Sequence, residues 1–264
     1  MKYFGGCDSG STYTKCVIID ETGKMVADVT LRSRINAVLS AEESLKQAVA
    51  QVPELNSAED LTYLVGTGYG RNKVPFADEN ISEISCHAMG VHVADPSVKA
   101  IIDIGGQDVK GIAVDADGTV LNFAMNDKCA AGTGRFFEAM ARAFEMDLSE
   151  FSKLSLQAKN VIPITAQCTV FAESEVISLI GQGEKKENIA FAVVDSIVRK
   201  VAAQANRMSE DRPMLCLTGG LCECSYISEA LTKELGMEVK TDPQSRYAGA
   251  IGAALGAVKK GKKN

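Results

Sequence analysis

Histidine is nearly missing: the 264 residues hold only His87 and His92. Five positions apart, the two would face different sides of a helix. A Ser-His-Asp hydrolase or a histidine-rich metal site therefore has little to work with. Positive charge is also short, with 28 Lys and Arg against 34 Asp and Glu, a formal net charge of −6. Aromatic residues make up 6%. With neither basic patch nor stacking platform, the chain is expected to have no nucleic-acid partner and no anionic-membrane partner. Its one basic run, Lys259 to Lys263, reads as a solvated C-terminal tail. No stretch approaches the ~20 apolar residues that a membrane span needs. Met1-Lys2-Tyr3-Phe4 leads straight into Gly5-Gly6-Cys7-Asp8, so no signal-peptide apolar region is expected. These absences predict a cytoplasmic protein.

What remains is 46% hydrophobic, ample for one large core or two smaller ones. Eight cysteines in such a chain point to thiol, metal or redox work rather than a disulfide framework. Free cysteines also serve as small core residues. Cys7, Cys16 and Cys216 lie in apolar strand-like runs and read as core, as do Met208 and the Ala/Val pattern from Ala190 to Ala205.

A repeat is the strongest internal signal. Asp8-Ser-Gly-Ser-Thr-Tyr-Thr-Lys15 precedes an apolar run ending at Asp20-Glu-Thr-Gly23. Asp103-Ile-Gly-Gly-Gln-Asp-Val-Lys110 precedes another ending at Asp115-Ala-Asp-Gly118. Superposed without a gap, Asp8 meets Asp103, Gly10 meets Gly105, Lys15 meets Lys110, Asp20 meets Asp115 and Gly23 meets Gly118. Each copy predicts a strand, a glycine turn, a second strand and an Asp/Gly turn. Glycines let backbone N–H groups close around an anion. Ser11 and Thr12 add hydroxyls, Lys15 adds charge, and Asp8 and Asp103 stand where Mg²⁺ could be held through water. Two such hairpins would grip a nucleotide's phosphates from both sides; the alternative is a pair of ordinary Asp/Gly turns. Neither a P-loop nor a dinucleotide-binding glycine fingerprint is present.

Met214-Leu-Cys-Leu-Thr218-Gly219-Gly220-Leu221 reads as a buried strand entering a Gly-Gly turn before a helix from Tyr226 to Leu235. A turn of that kind suits close packing on an adenosine. Cys222-Glu-Cys224, just beyond it, reads as small residues on a surface loop or as a redox or metal-binding pair. Cys86-His87 looks like a local ligand pair, but its Gly/Ala surroundings suggest a packed position or one that supports a ligand from behind. Cys129, in Asn126-Asp-Lys-Cys-Ala-Ala-Gly-Thr-Gly134, and Cys168, in Thr165-Ala-Gln-Cys168-Thr, each precede a predicted helix. Helix N-termini favour thiolate, the metal-ligating form. Two thiolates complete neither a zinc site nor a four-cysteine iron–sulfur cluster, but a two-fold dimer would supply two and two. Two structural cysteines are the competing reading.

The paired hairpins and the Gly-Gly turn resemble the superfamily of acetate and sugar kinases, Hsp70 and actin. The resemblance implies an α/β fold of two ribonuclease-H-like halves with an ATP cleft between them. Its halves would be residues 1–96 with 243–264, and residues 97–242. The final Gly/Ala-rich segment, Ala248 to Ala257, would be a closing helix. The two cysteine segments, with Gly68-Tyr-Gly-Arg71, Ser82-Glu-Ile-Ser-Cys86-His87 and Ile102-Asp-Ile-Gly-Gly-Gln-Asp108, are similar to the BadF/BadG/BcrA/BcrD-type ATPases. That group contains the ATP-dependent activators of 2-hydroxyacyl-CoA dehydratases and the ATPase subunits of benzoyl-CoA reductase.

The resemblance implies a homodimer with one shared [4Fe–4S] cluster, ATP and Mg²⁺. Ferredoxin or flavodoxin would donate an electron, and an iron–sulfur dehydratase or reductase would accept it. Cys129 and Cys168 would ligate the cluster. Ser11, Thr12, Tyr13, Thr14 and Lys15, with Gly105, Gly106, Gln107 and Asp108, would hold phosphates, and Asp8 and Asp103 the metal. Gln107 or Asp108 would orient the attacking water. Gly219, Gly220 and Leu221 would flank the adenosine, with Pro243 opposite. The competing assignments are a double-cubane-cluster or benzoyl-CoA-reductase-type partner, a cluster-free small-molecule kinase, and an actin-like nucleotide-gated scaffold. No distinctive acceptor motif supports the kinase.

Overall fold

A computed structural model describes residues 1–164, 168–207 and 214–262. Thr165, Met208 and Lys263, singled out above, lie outside the described residues. The chain divides into two compact units. Met1–Ile101, Ile112–Phe123 and Gln244–Asn264 form the first, Ile102–Gly111 and Ala124–Pro243 the second.

The chain opens with three strands, β1 (Tyr3–Ser9), β2 (Tyr13–Asp20) and β3 (Met25–Arg32), paired antiparallel in that order. Helix α1 (Ala37–Val49) follows, its start capped by Asn36, whose side chain accepts from the Val38 N–H at 3.0 Å. Strands β4 (Tyr63–Thr67) and β5 (Glu79–Asn80) add in parallel, giving the sheet order β3-β2-β1-β4-β5. Helix α2 (Glu83–Ala94) begins after Ser82, which caps it by accepting from Ser85 N–H at 3.2 Å. Such caps stabilise a helix by ~1 kcal/mol.

The repeat then follows as β6 (Ala100–Ile104), β7 (Val109–Val114) and β8 (Val120–Asn126). Four helices come next: α3 (Gly134–Ala143), α4 (Leu148–Ser155), α5 (Thr169–Gly181) and α6 (Lys186–Asn206). Strand β9 (Leu215–Gly219), helix α7 (Ser225–Leu235), strand β10 (Val239–Lys240) and helix α8 (Ala248–Gly261) finish the chain. The second sheet reads β10-β9-β6-β7-β8. Leu148 starts α4 behind a capping box, with Glu150 N–H donating to Asp147 at 2.8 Å.

Strand β2 shows how the sequence sets the layers. Period-two alternation sends Cys16 and Ile18 to one face, against Ala41, Leu45 and Ala48 of α1. Val17 and Ile19 take the other face, with Ala250, Ala253 and Ala254 of α8. Because both faces are covered, the strand is apolar throughout instead of alternating with polar residues. Helix α8 packs on α2 and β1 at close range, and small residues permit it. A methyl on Gly252 would land on the Cys86 carbonyl oxygen, and one on Gly90 on that of Ala248. In the second unit, Phe137, Phe144 and Phe151 pack edge to face, with ring centroids 5.4 and 5.1 Å apart around Phe151.

The repeat persists in the hydrogen bonds. Asp20 N–H donates to the Lys24 carbonyl at 3.0 Å, and Asp115 N–H to that of Thr119 at 2.9 Å. Asp20 Oδ1 accepts from Thr22 and Lys24 N–H at 2.8 and 3.1 Å; Asp115 Oδ1 accepts from Asp117 and Thr119 N–H at 2.9 and 2.8 Å. At the C-terminus the basic residues are solvent-exposed, as expected of a solvated end: Lys259 and Lys260 form the last turn of α8, and Lys260 Nζ pairs with Glu79 at 2.9 Å. Among the described residues no helix is long and apolar enough to cross a membrane.

Candidate nucleotide and cluster sites

In the first unit, the turn between β1 and β2 closes by Gly10 N–H donating to the Asp8 and Tyr13 carbonyls, both at 3.1 Å. Register sets Asp8 opposite Lys15, with Lys15 Nζ 3.9 Å from Asp8 Oδ2 and both residues buried. Thr12 and Thr14 are buried, while Ser11 and Tyr13 are half-buried. Thr14 Oγ1 lies 2.9 Å from Ser33 Oγ, and that hydroxyl donates to the Gly10 carbonyl at 2.8 Å, bracing the turn from β3. Ser9 Oγ, beside Asp8, is buried without a hydrogen-bond partner. An orphaned buried hydroxyl at a turn of this composition fits a site completed by a polar ligand.

The second hairpin is built the same way, but its ion pair is tighter. Gly105 N–H donates to the Asp108 carbonyl at 2.9 Å. Lys110 Nζ stands 3.0 Å from Asp103 Oδ2 and 2.8 Å from Asp108 Oδ2. Asp103 and Lys110 are both buried, Asp108 is half-buried, and Gln107 is exposed at the tip. Asp108 is thus tied to Lys110, while Gln107 presents its side chain to solvent.

The Gly-Gly turn meets this hairpin. Thr218 Oγ1 donates to Asp103 Oδ1 at 3.2 Å, and Gly220 N–H donates to the Ile104 carbonyl at 3.1 Å. Gly219 sits at φ +87°, and a methyl there would strike the Ile104 carbonyl, so only glycine serves. Gly220 is open to solvent, Leu221 is buried, and Pro243 is exposed. Residues 103 to 110 and 218 to 220 therefore form one hydrogen-bonded cluster. The start of α3 joins it, with Gly134 and Arg135 N–H donating to the Gly105 and Gly106 carbonyls, each at 2.9 Å.

The cysteines separate by burial. Cys7, Cys16, Cys86 and Cys216 are core, and burial pushes the Cys86 thiol up to about 12. Cys168 is exposed and is the N-cap residue of α5, its side chain making no capping hydrogen bond. Cys129 is half-buried, but it stands in the loop before α3, whose N-cap is Thr133. The shared helix-start environment expected of the pair thus holds for Cys168 and is looser for Cys129. Asn126 donates to the Cys129 carbonyl at 3.3 Å, and Lys128, Lys200 and Arg207 help line a cavity of about 410 Å³ beside that loop. Two cysteines outside the core, Cys168 exposed and Cys129 half-buried, offer the thiol donors that an iron–sulfur centre takes. The surface-loop expectation for Cys222-Glu-Cys224 is wrong for Cys222, which is 1% exposed. Cys224 is the N-cap residue of α7 and lies 2.8 Å from Ser152 Oγ.

Three contributors escaped sequence reading. Thr218 was visible only as a strand residue, Ser33 carried no signal, and the α3 amides depend on a contact across about thirty residues of chain. The glycines Gly132 and Gly134 were the one available hint of the last.

Twin hairpins with buried Asp–Lys pairs and a Gly-Gly turn hydrogen-bonded to one of them define a nucleotide-handling α/β protein. The model of the BadF/BadG/BcrA/BcrD ATPase family matches residues 6–257, and the chain belongs to that family. It is 41% identical over 264 residues to the (R)-2-hydroxyglutaryl-CoA dehydratase activating ATPase of Acidaminococcus fermentans, covering 99% of each chain. It is 40% identical over 255 residues to the activator of lactoyl-CoA dehydratase of Anaerotignum propionicum, covering 96% of each. The solved activator of the 2-hydroxyisocaproyl-CoA dehydratase from Clostridium difficile, with bound ADPNP, superposes with a TM-score of 0.92 at 39% identity. That match covers 99% of this chain and 96% of the other.

Proposed function

We propose that this protein is an ATP-dependent reductive activator. It is a cytoplasmic homodimer that uses ATP hydrolysis to drive a low-potential electron, received from ferredoxin or flavodoxin, into an iron–sulfur partner enzyme, a 2-hydroxyacyl-CoA dehydratase. One [4Fe–4S] cluster is held jointly by Cys129 and Cys168 of the two protomers. Bound there, the cluster supplies one-electron redox chemistry at low potential.

The protein's two halves are residues 1–96 with 243–264 and residues 97–242, and each contributes one phosphate hairpin. Ser11 to Lys15 and Gly105 to Asp108 hold the nucleotide's phosphates, by backbone N–H groups, hydroxyls and charge. Asp8 and Asp103 hold Mg²⁺ through water. Gln107 orients the attacking water: its side chain is exposed at the hairpin tip, whereas Asp108 is engaged by Lys110 at 2.8 Å. Gly219, Gly220 and Leu221 flank the adenosine, with Pro243 opposite.

The observation that carries the reading is the duplicated buried Asp–Lys hairpin in a chain that also exposes a cysteine at a helix start. Relatives of nearly equal identity are named for hydroxyglutaryl, lactoyl and hydroxyisocaproyl partners. The acyl group is accordingly a property of the partner enzyme, not of this chain. The test is an anaerobic preparation. A brown dimer with about four irons is expected, and Cys129→Ala or Cys168→Ala should abolish the iron. A colourless, iron-free protein that phosphorylates a sugar would overturn the proposal in favour of a kinase.

A further inference from the structure

Cys86-His87 is a chemistry-bearing motif of the first unit that the functions above leave unused. His87 is on α2 and 3% exposed. It is not simply core. A methyl placed on Gly249, in the first turn of α8, would stand 3.0 Å from His87 Nε2 and 3.0 Å from Asp8 Oδ2. The imidazole and the hairpin carboxylate therefore converge on one point that a bare glycine leaves clear. Two further features hold them there. The close α2–α8 packing at Gly90 and Gly252 fixes the height of His87 under the sheet. Gly68 borders Asp8 Oδ1 from the other side, and any side chain there would displace the carboxylate.

We infer that His87 is a positioning residue for Asp8, presenting its Nε2 side to Oδ2 and so fixing how that carboxylate meets the nucleotide's metal ion. The inference rests on the reading of the first hairpin as a nucleotide–metal site. Its physical basis is general. A carboxylate that meets a cation, directly or through its water shell, performs only as well as the groups that orient it, and losing such a group typically weakens metal binding by about 10–100-fold. Lys15, at 3.9 Å from the same oxygen, supplies charge at a distance at which it fixes orientation poorly. A planar ring held between two helices fixes orientation well. Cys86 belongs to the core cluster of Phe4, Val17 and Val65, and burial raises its thiol to about 12, so it is not assigned a part.

The test titrates Mn²⁺ into the full chain with saturating ADP and reads free Mn²⁺ by its EPR signal. His87→Gln carries an amide nitrogen where Nε2 stood, whereas His87→Asn reaches only as far as Nδ1. The expected result is Mn²⁺ affinity weakened about tenfold or more in His87→Asn and His87→Ala and held near the parent value in His87→Gln. Gly249→Ala, with the histidine intact but the shared point filled, should weaken it as well, so the result does not depend on any single variant folding. Circular dichroism melting reports the folded fraction of each. Equal Mn²⁺ affinity in the Asn and Gln variants, or an unchanged affinity in folded His87→Ala, overturns the inference and leaves the hairpin reading standing. Absence of Mn²⁺ uptake with ADP by the unsubstituted chain overturns both.

Discussion

Lys110 Nζ lies 3.0 Å from Asp103 Oδ2, and less than a tenth of either side chain is exposed. In the matching pair of the first hairpin, Lys15 stands 3.9 Å from Asp8. Removing one member of a buried pair leaves an uncompensated charge, at a cost of ~3–5 kcal/mol. Lys110→Met should therefore destabilise the protein by about that amount, and Lys15→Met by clearly less, because its partner is held more loosely. Urea denaturation midpoints check the order; equal losses would refute it.

Thiol reactivity should follow burial. With its thiol pushed up to about 12 by burial, Cys86 is almost wholly protonated at neutral pH. Cys7 is also raised, chiefly by the thiol of Cys16 across the strand pair and then by burial. Protonated, buried thiols are poor nucleophiles. In protein stripped of iron, iodoacetamide near neutral pH should label Cys168 first and Cys129 next, and should spare Cys7, Cys16 and Cys86 until the chain unfolds. Peptide mass mapping over time gives the sequence of events. The same shift has a stability sign: a thiol raised in the folded state favours folding below the ordinary thiol range, and that contribution is lost as pH rises toward 12.

The two Asp/Gly turns make an acid-side prediction. Asp20 is lowered chiefly by the hydrogen bond from the Thr22 side chain, Asp115 by the Thr119 backbone N–H. A carboxylate held below its unfolded value stabilises the fold above the ordinary carboxylate range, and the effect disappears as pH falls through the lowered value. Asp20→Asn and Asp115→Asn should each flatten the acid limb of a melting-temperature profile between about pH 5 and pH 2 and leave its shape near neutrality unchanged. An unaltered acid limb would count against these turns as titrating elements.

Gly219→Ala should damage nucleotide binding out of proportion to its size. At φ +87° an L-residue costs ~1–2 kcal/mol on conformation alone, and its methyl would also strike the Ile104 carbonyl next to Asp103. Calorimetric titration with a non-hydrolysable ATP analogue should show at least a tenfold loss, because ~1.4 kcal/mol corresponds to that factor. Gly181→Ala, facing open space at the end of α5, is the control and should bind nearly as the parent does.

Both hairpins were legible because their chemistry is local. An Asp, a glycine turn and a Lys within eight residues specify a strand pair and the ends that face each other, and the duplication made chance agreement of the whole set implausible. The buried strand before Gly219-Gly220 was legible for the same reason. Cys222 was misread because two polar-looking neighbours, Glu223 and Cys224, suggested a loop. Its burial comes from the turn folding back at the start of α7, which local composition does not encode. The basic end was read as solvated, and Lys259 and Lys260 are exposed; what local composition did not show is that Lys260 pairs with Glu79, far away in the chain.

By itself, the order of residues determined the strand pairs, the glycine turns, the helix starts at Asn36, Ser82 and Asp147, and the alternation that covers both faces of β2. All of these act over a few residues, within reach of backbone sterics and hydrogen bonding. Only the tertiary structure decided that Thr218 braces Asp103, that Ser33 braces Gly10, and that His87 and Asp8 look toward one bare glycine on α8. Those contacts join segments tens to more than a hundred residues apart. Their geometry follows from how helices and sheets stack at close-packed density, which no local pattern specifies.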